Sequence, residues 1–392
     1  MKRLLFLCFS AMTAMMSMAQ PQPGYYVSSA LDGKNGRGLE LALRDIIYPH
    51  TRISYGELWN SYVTTDTAPT DSVPDGCTKT DLVYDMYAWM QYFPKFHSDN
   101  DHSQTGGINR EHSVPNSWWG GENGNAEAYT DLHHLVPADG AANNVKSNYP
   151  LGEKTENDGL TLSWPTQDKY HNGHLYVSKD HVCSRVWNVP PDMQENFGDA
   201  AKVWEPADIY KGDFARMYLY VVCAYEGEIH WQTNYMFTSD NQNLTTIKPW
   251  ALELLLRWHR NDTVSQKELD RNNAVEDIQG NRNPFIDYPE LVEFIWGDMI
   301  SEEFDLGKAK CSYGELPYSV DENKNDDFFA YQNGNSLIIN AEGTVQVIDM
   351  MGRILINENV FTNRIDISYI NKGVYIVRVI GRDVMTQKIV VR

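Results

Sequence analysis

One polar segment of the chain reads Gly106-Gly107-Ile108-Asn109-Arg110-Glu111-His112-Ser113-Val114-Pro115. Two more follow it closely, Asp131-Leu132-His133-His134-Leu135-Val136-Pro137-Ala138 and Asn143-Asn144-Val145-Lys146-Ser147-Asn148. Two glycines begin the first segment and a proline ends it, and apolar residues end the second segment. These patterns predict a strand in each segment. Helical spacing begins near residue 141. The sequence therefore predicts the order strand, strand, helix over residues 105–150.

These segments combine hard oxygen ligands with a base and cations. Glu111, Asp131 and Asn143 offer hard oxygen ligands, and a carboxylate with an amide oxygen can hold Mg²⁺ or Ca²⁺ while leaving positions for water and phosphate oxygens. A neutral imidazole, from His112, His133 or His134, can take a proton from water near pH 7. Arg110 and Lys146 add positive charge. The combination predicts metal-assisted hydrolysis of a phosphodiester.

The spacing of these residues sets two geometric conditions. Glu111 and His112 are consecutive, so on a regular strand they point to opposite faces. One site can use both only if the backbone bends or if two faces of a ligand are engaged. Asn143 and Lys146 lie three apart, and on a helix they share a face.

Other interpretations stay open at this point. The polar pairs could be surface groups or helix caps. A surface adhesin or glycan-binding protein with a structural metal is supported by 11 Trp, 23 Tyr and 13 Phe. A hydrolase of another ester or of peptides is disfavoured, because the chain lacks Gly-x-Ser-x-Gly and His-Glu-x-x-His.

The three segments resemble those of the bacterial endonuclease I family of periplasmic and secreted nucleases. Further similar stretches follow downstream and extend the resemblance over about residues 30–300: Ser147-Asn148-Tyr149-Pro150, Lys211-Gly212-Asp213, Arg271-Asn272 and Gln279-Gly280-Asn281-Arg282-Asn283-Pro284-Phe285. The resemblance implies a ββα-metal (His-metal finger) site and an endonuclease without sequence preference that acts on DNA and RNA.

The resemblance also assigns roles. His112 is implied to be the general base, with Glu111 and Asn143 holding a divalent metal. Arg110 and Lys146 are the implied candidates for phosphate contact. Mg²⁺ is the expected ion, with Ca²⁺ or Mn²⁺ as alternatives. Lys146 stands where relatives often carry arginine, which keeps the charge but loses the bidentate fork. Supporting positions are Asp131, His133, His134 and Asn148, and His134 replaces an asparagine common in relatives.

The rest of the chain divides by composition. Residues 1–19 have the basic start, apolar run and small-residue end of a signal peptide. We expect a catalytic domain over 20–311, an acidic linker over 312–335 and a tail domain over 336–392. The predicted fold class is α+β, with a mostly helical catalytic domain that contains the ββα motif. Helices are predicted over 80–93, 211–226, 247–260 and 288–298.

The tail reads as short alternating strands separated by turns, which predicts a small all-β sandwich of about seven strands. Its runs Val347-Ile348-Asp349, Gly373-Val374-Tyr375-Ile376-Val377 and Lys388-Ile389-Val390-Val391 resemble the C-terminal sorting domain of type IX secretion. That resemblance implies export through the periplasm by the type IX machinery, to the cell surface or the medium. No run after the signal peptide is long enough for a membrane span. We expect a monomer.

Cysteine usage fits an exported chain. Removal of the signal peptide leaves Cys77, Cys183, Cys223 and Cys311. Four cysteines allow two disulfides in three pairings, and free buried thiols are the alternative.

The formal net charge of −20 argues against a protein that holds nucleic acid on a large basic surface. Most of the acidity lies in the nuclease-like region. A nuclease need only grip a few phosphates near its metal. We therefore expect transient, weak and strongly salt-dependent binding of a nucleic-acid substrate.

Overall fold

The computed structural model describes residues 21, 24–67, 82–87, 91–94, 108–121, 127–156, 159–164, 170–171, 174–175, 184–313, 330–333, 336–339, 343–349, 353–359, 364–380 and 384–391. The expected signal peptide, Cys77, Cys183 and most of the expected linker lie outside these residues. The chain divides into two compact units, Met1–Leu316 and Pro317–Arg392.

The first unit mixes helices and short strands. Its helices are α1 (Ser28–Leu31), α2 (Gly36–Ile47), α3 (Leu58–Thr65), α4 (Gly140–Lys146), α5 (Lys211–Ala224), α6 (Pro249–Asn261), α7 (Gln266–Gln279), α8 (Pro284–Asp287) and α9 (Leu291–Ile295). Its strands are β1 (Leu82–Asp85), β2 (Gln91–Pro94), β3 (Ile108–His112), β4 (Leu135–Asp139), β5 (Thr161–Trp164), β6 (Tyr170–His171), β7 (His174–Leu175), β8 (Arg185–Asn188), β9 (Lys202–Glu205), β10 (Phe237–Ser239) and β11 (Thr245–Ile247). This composition is α+β, as the sequence indicated.

Helix α5 forms the centre of this unit. All fourteen of its residues are buried, which is the behaviour of a helix that is packed on every side. The amphipathic helix α2 packs beside α5, and it buries Leu39, Leu43 and Ile47 at helical spacing. Helix α6 packs against α5 as well. The core of the first unit therefore surrounds α5.

The strands of the first unit form small antiparallel sheets. The described pairings are β1 with β2, β3 with β4, β6 with β7, β10 with β11, and the order β5-β8-β9. Strand β4 is followed directly by α4, so β3, β4 and α4 form the predicted strand, strand, helix unit. Ala142 N–H donates to the Asp139 carboxylate over 2.8 Å, and this bond satisfies one of the free amides at the start of α4.

Two of the predicted helices are confirmed and one is wrong. Helices α5 and α6 correspond to the predictions over 211–226 and 247–260. The predicted helix over 288–298 is shorter and spans only Leu291–Ile295. The prediction over 80–93 is wrong, because β1 and β2 pair there as antiparallel strands. Tyr84 N–H also donates to the Asp66 carbonyl over 2.8 Å, which holds this segment extended.

The second unit consists of strands in its described residues. They are β12 (Ala330–Asn333), β13 (Ser336–Ile339), β14 (Thr344–Asp349), β15 (Ile354–Asn359), β16 (Arg364–Asp366), β17 (Gly373–Ile380) and β18 (Val384–Val391). They form two antiparallel sheets, in the orders β12-β13-β16 and β15-β14-β17-β18. Both sheets contribute to one buried cluster, which includes Leu337, Ile365, Val347 and Val377. This unit therefore has a core of its own.

The two cysteines within the described residues are both free. Cys223 is buried inside α5, and Cys311 is partly exposed. They do not pair with each other, so the pairing that joins Cys223 to Cys311 is not formed. Within the described part of the chain, no helix combines the length and the apolar character that crossing a membrane requires.

Candidate active site

The ββα unit brings the polar segments together. In the β3–β4 ladder, Glu111 lies opposite Val136 and His112 lies opposite Leu135. The chain bends at residues 113–114, directly after His112. Because His112 is the last residue of its strand, Glu111 and His112 both line one cleft. Glu111 and His112 can therefore serve one site, because the backbone bends at the end of their strand.

The cleft has a volume of about 390 Å³. Residues from the end of β3, from α4 and from the neighbouring turns line it: Tyr55, Arg110, Glu111, His112, Pro115, Asn116, Ser117, Tyr129, Asn143, Asn144, Ser147 and Asn148. Amides and hydroxyls dominate this set. Among the described lining residues, Glu111 is the one carboxylate and Arg110 is the one lysine or arginine.

His112 is held in one orientation. Its side chain is buried, and Nε2 lies 2.9 Å from the Tyr129 carbonyl. A carbonyl only accepts, so Nε2 carries the proton and Nδ1 has the free lone pair of a neutral imidazole. Burial, with a smaller contribution from nearby His134, lowers the pKa of His112 to about 3. The ring is therefore neutral near pH 7, as a proton acceptor must be.

The carbonyl that holds His112 comes from a 3-10 turn at Glu127–Thr130. The preceding carbonyl of that turn, from Ala128, lies 2.6 Å from His134 Nε2. The rings of His112 and His134 are 5.6 Å apart. One short turn thus fixes two neighbouring imidazoles, which gives His134 a defined place beneath the cleft.

Glu111 is the centre of a small polar group. Its Oε1 accepts from Lys146 Nζ over 3.0 Å, and its carboxylate also accepts from the Asn143 side chain. Burial raises the pKa of Glu111, and the contacts with Lys146 and Asn143 oppose that rise. The predicted shared face of Asn143 and Lys146 is confirmed, because both reach Glu111 from α4.

The pair Glu111 and Asn143 fits a hard divalent ion. A carboxylate and an amide both border the cleft, and oxygen donors of this kind suit Mg²⁺, Mn²⁺ or Ca²⁺. No group of three or more His, Cys, Asp or Glu side chains in the described residues could hold a metal ion. Among those residues, an ion held by Glu111 and Asn143 would take its further ligands from neutral oxygen atoms, water or phosphate.

Lys146, a predicted phosphate contact, is not among the residues that line the cleft. Its side chain is fully buried. The Nζ atom lies 5.6 Å and 5.7 Å from the ring centroids of Tyr87 and Trp204. The ammonium therefore lies between two aromatic rings and contacts the cleft through its hydrogen bond to Glu111.

Arg110 does border the cleft. Its guanidinium carbon lies 3.7 Å from the Tyr55 ring centroid and 4.9 Å from that of Trp59. Its Nη1 donates to the Tyr55 carbonyl over 2.6 Å. The guanidinium is stacked and anchored on one side, and it keeps further N–H donors for a ligand.

The supporting residues fall into two groups. Asn148 lies at the cleft, with its amide 3.5 Å from the Ser117 hydroxyl. Asp131 and His133 are buried away from it. Burial alone would raise the pKa of Asp131, but His133, other nearby imidazoles and a hydrogen bond from Gln279 hold it well below its usual range. Tyr220 and Tyr225 also donate to this carboxylate over 2.7 Å.

Several cleft residues were missed from the sequence. Asn116 and Ser117 directly follow the first polar segment, so adjacency could have suggested them. Tyr55 precedes Arg110 by 55 residues, and no motif marks it. Tyr129 contributes a backbone carbonyl, which no side-chain pattern can report.

Comparison with known proteins agrees with this geometry. The family model described as Endonuclease I matches residues 35–290. The model of the Secretion system C-terminal sorting domain matches residues 329–392. An extracellular ribonuclease of Bacillus amyloliquefaciens is 32% identical over 277 residues, covering 69% of this chain and 78% of the relative. An extracellular ribonuclease of Bacillus subtilis (strain 168) is 30% identical over 291 residues, covering 72% and 84%. The chain therefore belongs to the endonuclease I family and carries a secretion-system sorting domain at its C-terminus.

Proposed function

We propose that this protein is an exported, metal-dependent endonuclease that hydrolyses phosphodiester bonds in DNA and RNA without sequence preference. One observation carries the proposal. The neutral His112, with Nε2 bonded to a backbone carbonyl, lies in the same cleft as the Glu111–Asn143 pair. A fixed base beside hard oxygen ligands is what hydrolysis of a phosphodiester requires.

His112 acts as the general base in this proposal. Its Nδ1 accepts a proton from the attacking water, and the Tyr129 carbonyl stabilises the imidazolium that forms. Arg110, stacked on Tyr55, donates to a phosphate oxygen at the edge of the cleft. The side chains thus divide the tasks of proton removal and charge neutralisation.

Glu111 and Asn143 are the residues that would hold the divalent ion, expected to be Mg²⁺. When bound, such an ion stabilises negative charge on the phosphate and on the departing oxygen. Lys146 fixes the carboxylate of Glu111 through Oε1.

The lining of the cleft supports the proposed substrate class. Amides and hydroxyls such as those of Asn116, Ser117 and Asn148 can bond to sugars and phosphates, which carry no sequence information. The relatives named extracellular ribonucleases support activity on RNA. We expect cleavage of DNA as well, by a monomer that releases its product readily.

The C-terminal domain supports a secreted or cell-surface location. We propose that the type IX secretion machinery recognises it after the chain has reached the periplasm.

The first prediction concerns cleavage itself. Purified protein should nick plasmid DNA and degrade RNA with Mg²⁺ present, and EDTA should stop both reactions. His112→Ala and Glu111→Ala should each lower kcat by at least a hundredfold, since each removes a group used in the transition state. His230→Ala, which removes an exposed imidazole bonded to Asn243, serves as the matched control.

Cleavage at the normal rate in both variants, or in EDTA, would contradict this function. Binding of glycans without any cleavage of nucleic acid would instead favour an adhesin.

A further inference from the structure

The ion pair beneath the cleft has an effect on the metal site. Lys146 is fully buried and its Nζ lies 3.0 Å from Glu111 Oε1. The Glu111 side chain is only 13% exposed. Solvent therefore screens this pair poorly, and the positive charge of Lys146 acts strongly on anything that approaches the carboxylate.

The charges of the described ligand group sum to zero. Glu111 contributes one negative charge, Lys146 contributes one positive charge, and Asn143 is neutral. No second carboxylate borders the cleft among the described residues. Affinity for hard divalent ions rises with the number of charged ligands. A neutral group with two oxygen ligands should bind such an ion weakly.

We propose that Lys146 cancels the charge of Glu111, so that a divalent ion binds tightly only together with a phosphate of the nucleic acid. This inference rests on the proposed function and adds a binding order to it. A phosphate brings the missing negative charge and oxygen ligands into the same cleft, where Arg110 also faces it. By linkage, the ion must strengthen nucleic-acid binding by the same factor.

A purely structural Lys146 would have different consequences. If the ammonium only fills space between Tyr87 and Trp204, removal of its charge changes stability and leaves metal affinity unaltered. The two roles are therefore separated by measuring metal binding directly rather than activity.

The test measures Mn²⁺ binding by electron paramagnetic resonance, in full-length protein that carries His112→Ala so that the nucleic acid stays intact. The measurement is made at pH 8, with and without a saturating single-stranded oligonucleotide. We expect the oligonucleotide to tighten Mn²⁺ binding about tenfold or more, within the usual range of such coupling. Lys146→Met should tighten Mn²⁺ binding about tenfold without oligonucleotide, and the additional effect of the oligonucleotide should shrink.

Two controls are matched to this change. Lys146→Arg keeps the charge and should behave like the parent protein. Lys308→Met removes the same charge from an exposed site and should leave Mn²⁺ affinity unchanged. Circular dichroism checks that each variant is folded.

Unchanged or weaker Mn²⁺ binding in folded Lys146→Met would overturn the inference. If Lys146→Met does not fold, the Mn²⁺ affinity of the parent protein still tests the inference. Equal affinity with and without oligonucleotide would also overturn it. Either result can coexist with EDTA-sensitive cleavage by the unaltered chain. The proposed function fails only if that cleavage is absent or independent of metal.

Discussion

At the scale of single residues, the orientation of His112 depends on a backbone atom. The Tyr129 carbonyl accepts from Nε2, and a carbonyl cannot exchange roles as an amide or hydroxyl can. The tautomer of His112 is therefore fixed whatever side chain occupies position 129. This arrangement leaves Nδ1, with its free lone pair, as the only basic atom of the ring.

Arg110 provides the second prediction. If Arg110 makes the proposed phosphate contact, Arg110→Ala should lower kcat/KM about tenfold to a hundredfold, mainly through KM. The slope of log affinity against log salt should fall by about one. Binding assays in the His112→Ala background over a salt series measure this slope, and Arg378→Ala, an exposed arginine of the tail, is the control.

The lining of the cleft changes the expectation of strongly salt-dependent binding. With Arg110 as the one arginine or lysine among the described lining residues, the slope of the parent protein should itself be shallow. A steep slope that Arg110→Ala leaves unchanged would mean that other cations hold the substrate.

His259 supplies a prediction about pH. Burial, followed by the charge of Arg216, lowers its pKa to about 4. Between pH 6.5 and pH 4 the unfolded chain binds a proton that the folded chain does not. The neutral ring therefore makes its full contribution to the free energy of unfolding above pH 6.5. This contribution decreases as the pH falls, by about 2 kcal/mol at pH 5.

The measurement is urea unfolding of the parent and of His259→Gln at pH 7.5 and pH 5. The parent should lose about 2 kcal/mol more than the variant over this interval. Burial raises the pKa of Glu40 and of Asp262 to about 7, and those groups act in the opposite direction. They are present in both proteins, so they cancel in the difference. Equal losses in the two proteins would show that His259 is protonated in the folded state.

At the scale of elements, the ββα unit was predictable because its residues are close in the chain. Glu111, His112 and Asn143 belong to two short polar segments. The segment between them predicted a second strand, which completes the order strand, strand, helix. The burial of Lys146 could not be predicted, because spacing gives the face of a helix but not what covers that face. Tyr87 and Trp204, which enclose it, are far away in the sequence.

The helix error over 80–93 has a related cause. Residues of β1 and β2 could be placed on one helix by spacing, but strand pairing is decided by partners outside a short window. The Asp66 carbonyl, which accepts from Tyr84, follows α3 and is invisible to local periodicity. By contrast, α5 and α6 were predictable because their apolar residues recur over three or more turns.

Helix α7 gives the prediction at this scale. Ser265 and Glu268 form a capping box at its start, and Glu268 also receives two hydrogen bonds from buried Arg216. Ser265→Ala should cost about 1 kcal/mol of unfolding free energy, as the loss of a cap does. Glu268→Ala should cost about 3–5 kcal/mol, because it leaves a buried guanidinium without its carboxylate.

Urea unfolding of the two variants measures this difference. Arg216 and Glu268 lie in direct contact, so the double variant Arg216→Met with Glu268→Ala should recover part of the loss. Similar costs for Ser265→Ala and Glu268→Ala would mean that the carboxylate matters only as a cap.

At the scale of the whole molecule, the two units have separate buried clusters. One cluster surrounds α5 in the first unit, and another contains residues from both sheets of the C-terminal unit. The family match to endonuclease I ends at residue 290, and the sorting-domain match begins at residue 329. The nuclease-family match and the sorting-domain match therefore lie on different stretches of the chain.

This division predicts the effect of removing the tail. A chain that ends at Leu316 keeps every described residue of the cleft and of the α5 cluster. Its kcat/KM on plasmid DNA should stay within about twofold of the full chain, and its Tm within about 5 °C, because no contact within the α5 cluster is deleted.

The location of the shortened chain should change. In the producing cell it should accumulate in the periplasm, because it lacks the domain that the exporter recognises. Fractionation with antibody detection measures the location, and a chain with Lys372→Ala in an intact tail is the control for expression. A truncated chain that is inactive although folded would mean that the tail contributes to catalysis, and one that still reaches the medium would contradict its role in export.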